Sequence, residues 1–249
     1  MKHIILSAGR GKRMSPYTDN CSKGMLDFGG ESILRRQINT IRKAKISKII
    51  IVKGYLANDI KFRNITYYTN KDYNKTNMVK SLMMARREFT TDIIVSYGDI
   101  LFDYQLLKTM KSMKYDFTVA VDFNWKRYWE MRYGNIKKDT ESLKINNEGK
   151  ISQLGTPNPP LEDITARYIG LLKFSRRGLS IIKDIYNSSD RWKTAYMTDL
   201  LQEIINLGYD VTAMGFSGGW IEFDTKEDYE NNLDWLRRNI LDEQLHLRL

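Results

Sequence analysis

The chain has 249 residues, 42% of them apolar and 12% aromatic, which excludes a disordered polypeptide and suits one substantial core. One cysteine, Cys21, excludes an internal disulfide and a cysteine metal cluster, and two histidines, His3 and His246, leave little for chemistry built on a histidine base. The formal charge of +10 is lopsided: residues 1–63 hold 14 of the 40 Lys and Arg but 4 of the 30 Asp and Glu, leaving 26 of each beyond, so an anion bound near the N-terminus is favoured over a basic nucleic-acid coat.

Residues 3–6 read as a short apolar strand, entered directly from Met1, so no secretory leader is expected. The small-residue loop Ser7-Ala8-Gly9-Arg10-Gly11 follows. Over 31–44, Ile33, Leu34, Ile38 and Ile41 recur at helical spacing with arginines opposite. Residues 47–52 and 65–69 read as strands, 78–89 as a helix, and 92–97 as a third apolar strand ending at Gly98-Asp99. Apolar strands alternating with helices predict an α/β fold with a mostly parallel sheet covered on both faces. Ligands of such sheets bind beyond the carboxyl ends of the strands. Those ends carry residues 7–13, Gly54-Tyr55 and Tyr97-Gly98-Asp99.

Beyond a strand at 117–122, residues 124–135 are aromatic and charged without clean periodicity. Residues 143–154 alternate like a hairpin turning at Asn146-Asn147-Glu148-Gly149. Pro157-Asn158-Pro159-Pro160 predicts a rigid loop. A strand at 167–174, helices at 178–186 and 196–207, a strand at 211–216 and a helix over 225–241 complete the pattern. One domain is expected, with an inserted β-rich subregion at 124–175. No apolar run approaches the roughly 18–20 residues of a membrane span, so a soluble cytoplasmic protein is expected, and a homo-oligomer is allowed.

Gly9-Arg10-Gly11-Lys12-Arg13-Met14 fits neither common phosphate motif. A dinucleotide fingerprint needs a third glycine where Met14 stands and an acid near Lys53-Gly54, and a Walker loop needs Ser or Thr after its lysine, where Arg13 stands. What remains is a glycine loop whose backbone N–H groups can cradle phosphate beside Arg10, Lys12 and Arg13.

The longer run Leu6-Ser7-Ala8-Gly9-Arg10-Gly11-Lys12-Arg13-Met14-Ser15-Pro16-Tyr17-Thr18, then Ser22-Lys23-Gly24-Met25-Leu26, resembles the opening of the nucleotidyltransferases that activate sugar phosphates and phosphocholine. Their pattern is L-A-A-G-x-G-x-R-[LM]-x-P-x-T followed by P-K-x-[ML]; here Ser7 replaces an alanine and Ser22 the proline before the lysine. The resemblance implies a Rossmann-like mixed sheet of GT-A-like type. It implies that Leu6, Ala8, Gly9, Arg10, Gly11 and Lys12 wrap a nucleoside triphosphate, and that Arg13 and Lys23 hold the phosphates at the reacting phosphorus. Residues 1–115 would mainly bind nucleotide and 116–249 mainly the acceptor.

Phosphoryl transfer needs charge neutralisation more than covalent chemistry, and a hard cation such as Mg²⁺ takes carboxylates plus substrate oxygens. Asp99 follows an apolar strand, and Trp220-Ile221-Glu222-Phe223-Asp224 alternates two acids on one face. In the family, an aspartate after the central strand and an acid in a late W-x-[ED]-x-[DN] segment bind the ion, which implies Asp99 and Asp224.

Further segments resemble the cytidylyltransferases acting on phosphocholine, aminoalkylphosphonates and phosphorylated glutamine: Tyr68-Thr69-Asn70 with Lys75 to Leu82, Ser96-Tyr97-Gly98-Asp99-Ile100, Tyr168 to Phe174, and the Trp220 segment. That likeness implies CTP as donor, with Asn77, Ser81, Tyr97 and Gly98 on the nucleotide, and a small phosphorylated or phosphonate acceptor, with no nucleic acid and no membrane as partner. Aromatic faces with carboxylates suit a cationic acceptor group, so Asp122, Trp125, Tyr168, Tyr196 and Glu222 are acceptor candidates, with Lys173 for the acceptor phosphate. The expected reaction releases pyrophosphate. The alternatives are a sugar-1-phosphate nucleotidyltransferase using UTP, GTP or dTTP, and a non-catalytic nucleotide or RNA binder.

Overall fold

The computed structural model describes residues 1–248. Its first half runs β1 (Lys2–Ser7), α1 (Ile33–Lys43), β2 (Ile49–Lys53), β3 (Thr66–Thr69), α2 (Met78–Met84), β4 (Ile93–Tyr97), β5 (Ile100–Phe102), α3 (Tyr104–Ser112) and β6 (Phe117–Asp122). Then come α4 (Trp125–Tyr133), β7 (Glu141–Ile145), β8 (Ile151–Pro157), β9 (Arg167–Phe174), α5 (Arg176–Ser188), α6 (Met197–Asn206), β10 (Val211–Phe216), β11 (Trp220–Glu222), α7 (Lys226–Arg237) and α8 (Ile240–Glu243). Among the described residues no helix is long and apolar enough to cross a membrane.

Seven strands form one sheet in the order β10-β6-β9-β4-β1-β2-β3. Neighbours are parallel except at β9, which is antiparallel to both β4 and β6. Successive side chains on a strand point to opposite faces, and that divides the core. Ile4, Leu6, Ile50 and Val52 pack with α2, α5 and α6, while Ile5, Ile51 and Ile94 pack with α1, α3, α4 and α7. The apolar strand runs are continuous because both faces of the sheet are covered.

Two expectations about the second half are corrected. Residues 125–133 form a helix rather than part of a β-rich insertion, with Trp125, Tyr128, Trp129 and Arg132 buried at helical spacing. The 167–174 strand is an inner member of the main sheet, leaving the β7–β8 hairpin as the added β element. That hairpin turns as expected, Gly149 N–H donating to Asn146 O at 3.0 Å. The C-terminal helix is shorter than expected because Asn239, at φ 59°, breaks it between α7 and α8.

A second, two-stranded ladder positions the acids. β5 and β11 pair antiparallel, Ile100 opposite Glu222, and Phe223 N–H donates to Asp99 O at 2.9 Å. Residues 125 apart in sequence, Asp99 and Asp224, are thereby brought beside one another at the carboxyl end of β4.

Candidate active site

The loop after β1 presents a run of free donors. The N–H groups of Gly9, Arg10, Gly11, Lys12 and Arg13 meet no acceptor among the described residues. Gly11 sits at φ 68°, the left-handed region where glycine is unstrained, and opens a short 3-10 turn. A side chain there would also strike Lys23, whose Cε lies 2.9 Å from the position a Cβ would take. A Cβ on Gly9 would meet nothing within 4 Å, so the bare backbone at this point leaves room for a ligand to approach. Consecutive amides of this kind make an anion-binding concavity.

Lys23 follows from a second 3-10 turn. Ser22, standing where the family pattern has proline, holds φ −68°, the value proline itself imposes, so the backbone before Lys23 takes a conformation open to either residue. The Lys23 Nζ lies 2.7 Å from Asp99 Oδ2 and 3.5 Å from Asp224 Oδ1, and Arg13 Nη2 lies 2.8 Å from Asp224 Oδ2. Burial opposes the charge on Lys23, but Asp99 and Asp224 outweigh it and hold its pKa above the ordinary lysine value. Burial would raise the Asp224 pKa, yet Lys23 and Arg13 pull it below the usual carboxylate range. The lysine is therefore an ammonium and Asp224 a carboxylate at neutral pH.

The two acids have the right chemistry for a hard cation, since their carboxylate oxygens converge on the point that Lys23 Nζ shares. No group of three or more His, Cys, Asp or Glu suited to a metal occurs among the described residues. A divalent ion at Asp99 and Asp224 would therefore complete its shell with water and substrate oxygens, as Mg²⁺ commonly does.

What holds Asp99 was not apparent from the sequence. Gly98 N–H donates to Leu6 O at 2.8 Å, and a Cβ on Gly98 would come within 2.7 Å of Ser7 Cβ. Buried Gln37, on α1, donates from Nε2 to Tyr97 O and Ile100 O at 2.9 and 2.6 Å, bracketing the Gly98-Asp99 turn. Ser96 Oγ donates to Gln37 Oε1, and His3 Nε2 meets Ser96 Oγ at 2.8 Å. The helical face of α1 signalled Gln37 only as a polar residue among apolar ones.

Burial holds the His3 pKa at about 3, below its ordinary 6.5. A depressed native pKa means that the unfolded chain takes up the proton first, so stability present above pH 6.5 is lost as pH falls towards 3. Between pH 7 and pH 5 this amounts to about 2 kcal/mol. Urea denaturation of wild type and His3→Gln at the two pH values checks it: the variant loses less stability on acidification, and equal losses would contradict a neutral buried His3.

A cleft opens beyond these strand ends, where ligands of such sheets bind. Of the sequence-derived candidates, Leu6, Ala8, Gly9, Gly11, Lys23, Asn77, Ser81, Tyr97, Gly98, Asp99 and Asp224 line it. Arg10, Lys12 and Arg13 stand on its exposed rim, Arg10 lying 3.7 Å from Asp19 and over the Tyr55 ring. Ser7, Tyr73, Thr76 and Met78 also line the cleft and were not singled out. Asn77 Oδ1 caps α2 by accepting from Met78 N–H. Ser81 Oγ and Thr76 Oγ1 are held by buried Asn70 at 3.1 and 3.0 Å.

The acceptor candidates divide. Tyr168 reaches the site, its hydroxyl donating to that of Tyr97 at 3.0 Å with the rings edge to face. Glu222 lies two residues before Asp224, paired with Arg132, and burial raises its pKa despite that arginine. Lys173 must be removed from the acceptor set: antiparallel β9 carries it to the far end of the sheet, where its buried ammonium donates to Met113 O at 3.0 Å and lies 3.1 Å from Asp92. Asp122 is likewise committed elsewhere, accepting from Trp220 Nε1 at 2.8 Å, Asn124 N–H at 2.8 Å and Gly218 N–H at 3.2 Å. Trp125 is buried in the core against Trp129. Tyr196 is 57% exposed at the start of α6, outside the cleft lining.

Free amides and a lysine between two carboxylates answer the demands of transfer at phosphorus, where positioning and charge carry the catalysis. On this sheet they define a nucleotidyltransferase. A family model described as the MobA-like NTP transferase domain matches residues 3–131, and the chain belongs to that family. It is 33% identical over 254 aligned residues to a CTP:phosphoglutamine cytidylyltransferase from Campylobacter jejuni, covering 94% of this chain and 100% of that one. A choline-phosphate cytidylyltransferase from Haemophilus influenzae is 32% identical over 48% of this chain and 52% of its own length. The solved structure of a CTP:phosphocholine cytidylyltransferase from Streptococcus pneumoniae shares the fold, with a TM-score of 0.69 at 19% identity over 94% of this chain and 98% of that one.

Proposed function

We propose that the protein transfers CMP from CTP to a small phosphorylated or phosphonate acceptor and releases pyrophosphate. The observation that carries this reading is the Lys23 ammonium, 2.7 Å from Asp99 and 3.5 Å from Asp224, beside five unengaged amides of the glycine loop. Full-length similarity to a cytidylyltransferase supports CTP as donor, and the polar start of α2 offers Asn77 and Ser81 to cytosine or ribose. On this reading residues 1–115 mainly bind nucleotide and 116–249 the acceptor, with Asp224 crossing between them. A cytoplasmic location fits this reading.

The acceptor phosphate or phosphonate is an anion near neutral pH, so its oxygen attacks the α-phosphorus without a general base. The new oxygen–phosphorus bond forms as the bond from the α-phosphorus to the α–β bridging oxygen breaks, and pyrophosphate leaves with that electron pair. The loop amides hold the triphosphate, with Arg10 and Lys12 along its tail, and Lys23 and Arg13 exchange part of their pairing with the acids for pairing with phosphate oxygens. Asp99 and Asp224 would hold Mg²⁺, which neutralises phosphate charge when bound. Tyr97 and Gly98 floor the site between nucleotide and acceptor.

A pyrophosphate-release screen crossing the four nucleoside triphosphates with phosphocholine, aminoethylphosphonate, phosphorylated amino acids and sugar phosphates tests this. Release with CTP and a non-sugar acceptor is expected. Release confined to UTP, GTP or dTTP with a sugar 1-phosphate would replace it by the sugar-activating alternative.

A further inference from the structure

Asn70, just beyond β3, is 1% exposed and lies outside the lining of the cleft, yet it governs two hydroxyls that do line it. Its backbone N–H donates to Lys53 O at 2.8 Å, and Asp72 N–H donates to its side-chain Oδ1 at 3.1 Å. The Asp72 N–H needs an oxygen, so the Nδ2 amide is the group turned to the two hydroxyls. It donates to Thr76 Oγ1 at 3.0 Å and to Ser81 Oγ at 3.1 Å. Both hydroxyl oxygens are therefore acceptors on that side, and each must send its proton elsewhere.

Thr76 sends its proton to Asp72 O at 2.8 Å. Ser81 has no such outlet. A helical serine can turn its hydroxyl back to the carbonyl four residues earlier, but here Asn77 O accepts the Ser81 backbone N–H, at 3.1 Å, and the side chain donates to no acceptor among the described residues. Its proton is left for the cleft that Ser81 lines. A hydroxyl is ordinarily donor or acceptor as its partner requires, and Asn70 makes this one a donor only. Lys23, Asp99 and Asp224 carry the charge of the cleft, while the wall of Tyr73, Thr76, Asn77 and Ser81 is uncharged and suits a base. On a pyrimidine, N3 is a bare acceptor in cytosine and an N–H donor in uracil. Position 2 is an oxygen in both, and position 4 donates in cytosine but accepts in uracil. A donor-only hydroxyl thus selects cytosine at N3 and nowhere else on that edge.

We infer that Asn70 is a positioning residue that fixes the Ser81 hydroxyl as a donor to N3 of cytosine, and so sets the preference of this site for CTP over UTP. This rests on the cytidylyltransferase reading above and names the proton that carries its nucleotide selectivity. With UTP, the uracil N3–H and the Ser81 O–H would face one another, two donors with no acceptor between them.

Calorimetric titration of CTP and UTP with Mg²⁺ at pH 8, without any acceptor, reads the selectivity as a ratio of Kd values. Wild type is expected to bind CTP about 10-fold more tightly or better. Asn70→Asp keeps size and shape but exchanges the Nδ2 donor for a second acceptor. With the Asp72 N–H and two hydroxyls to donate to it, the new carboxylate is ionised at that pH. Ser81 then turns its proton to the carboxylate and offers a lone pair to the cleft. The Kd ratio is expected to swing by about 10- to 100-fold towards UTP, whereas a merely structural role would weaken both nucleotides alike. Ser81→Ala, which guards against a folding defect in the first variant, narrows the wild-type preference by about 10-fold. The triphosphate of 3-deazacytidine, with C–H in place of N3, binds wild type about 10-fold more weakly than CTP does, and binds Ser81→Ala as CTP does. An unmoved ratio in Asn70→Asp, or the deaza analogue bound by wild type as tightly as CTP, would overturn the proposal. Wild type binding UTP in preference to CTP would instead overturn the cytidylyltransferase reading, and the proposal with it.

Discussion

Lys23→Ala is expected to lower pyrophosphate release by about 1000-fold, the scale on which preorganised charge at a reacting phosphorus acts. The lysine is 14% exposed and held between two carboxylates, so its charge is poised without reorganisation at the moment bond order changes. The Asp99–Asp224 pair loses its counterion in the variant, but both acids keep some exposure, 27% and 23%, so the thermal midpoint should move by only a few degrees. Asp99→Asn should fall by a similar order while leaving Lys23 free to contact phosphate. Steady-state pyrophosphate release beside a thermal melt checks both variants. Near-normal turnover in Lys23→Ala would remove the lysine from the chemistry, and turnover lost together with the melt would make its role structural.

Arg132→Met is expected to destabilise the fold by about 3–5 kcal/mol, because removing one member of a buried ionic cluster leaves the others uncompensated. The Arg132 side chain is 1% exposed, pairs with Glu222 and donates from Nη2 to Asp228 Oδ2 at 2.6 Å. It lies over the Tyr133, Trp129 and Tyr128 rings at 4.6 to 5.9 Å. Asp228 in turn accepts from Asp224 and Thr225 N–H at 3.1 and 2.8 Å. The arginine thus ties α4 to β11 and to the start of α7, the segments that present Asp224. For a chain of this size the loss corresponds to a drop in thermal midpoint of about 10 °C. The double variant Arg132→Met with Asp228→Asn should recover part of it, since one stranded charge is gone. A single variant as stable as wild type would contradict a structural role for this cluster.

Much of the site was legible because it is local. The glycine loop, Lys23 and the end of β4 lie within short motifs, and a strand buried on both faces announces itself as an unbroken apolar run, as at 49–52 and 93–95. Three things were not legible. Strand direction has no period: with β9 antiparallel, Arg167 and Tyr168 come to the ligand end and Lys173, expected at the acceptor, goes to the other. The helix α4 was hidden because its buried stripe ends on a charge, Arg132, whose partners lie about 90 residues away. The meeting of Asp99 with Asp224 depends on the β5–β11 ladder, two strands of three residues each that carry little pattern of their own. The N-terminal charge excess, too, gathers only partly at the cleft: Arg35, Arg42, Lys45, Lys61 and Arg63 line a separate groove.

Attack at the α-phosphorus of CTP is tested most directly by following phosphorus NMR of wild type with CTP, Mg²⁺ and a mixture of a phosphorylated amino acid, phosphocholine and aminoethylphosphonate. The geometry of Lys23, Asp99 and Asp224 predicts loss of the triphosphate signals in step with pyrophosphate, together with one new pair of coupled signals from the phosphorus–oxygen–phosphorus link to an acceptor. CDP with orthophosphate, or CTP left unchanged, would contradict it.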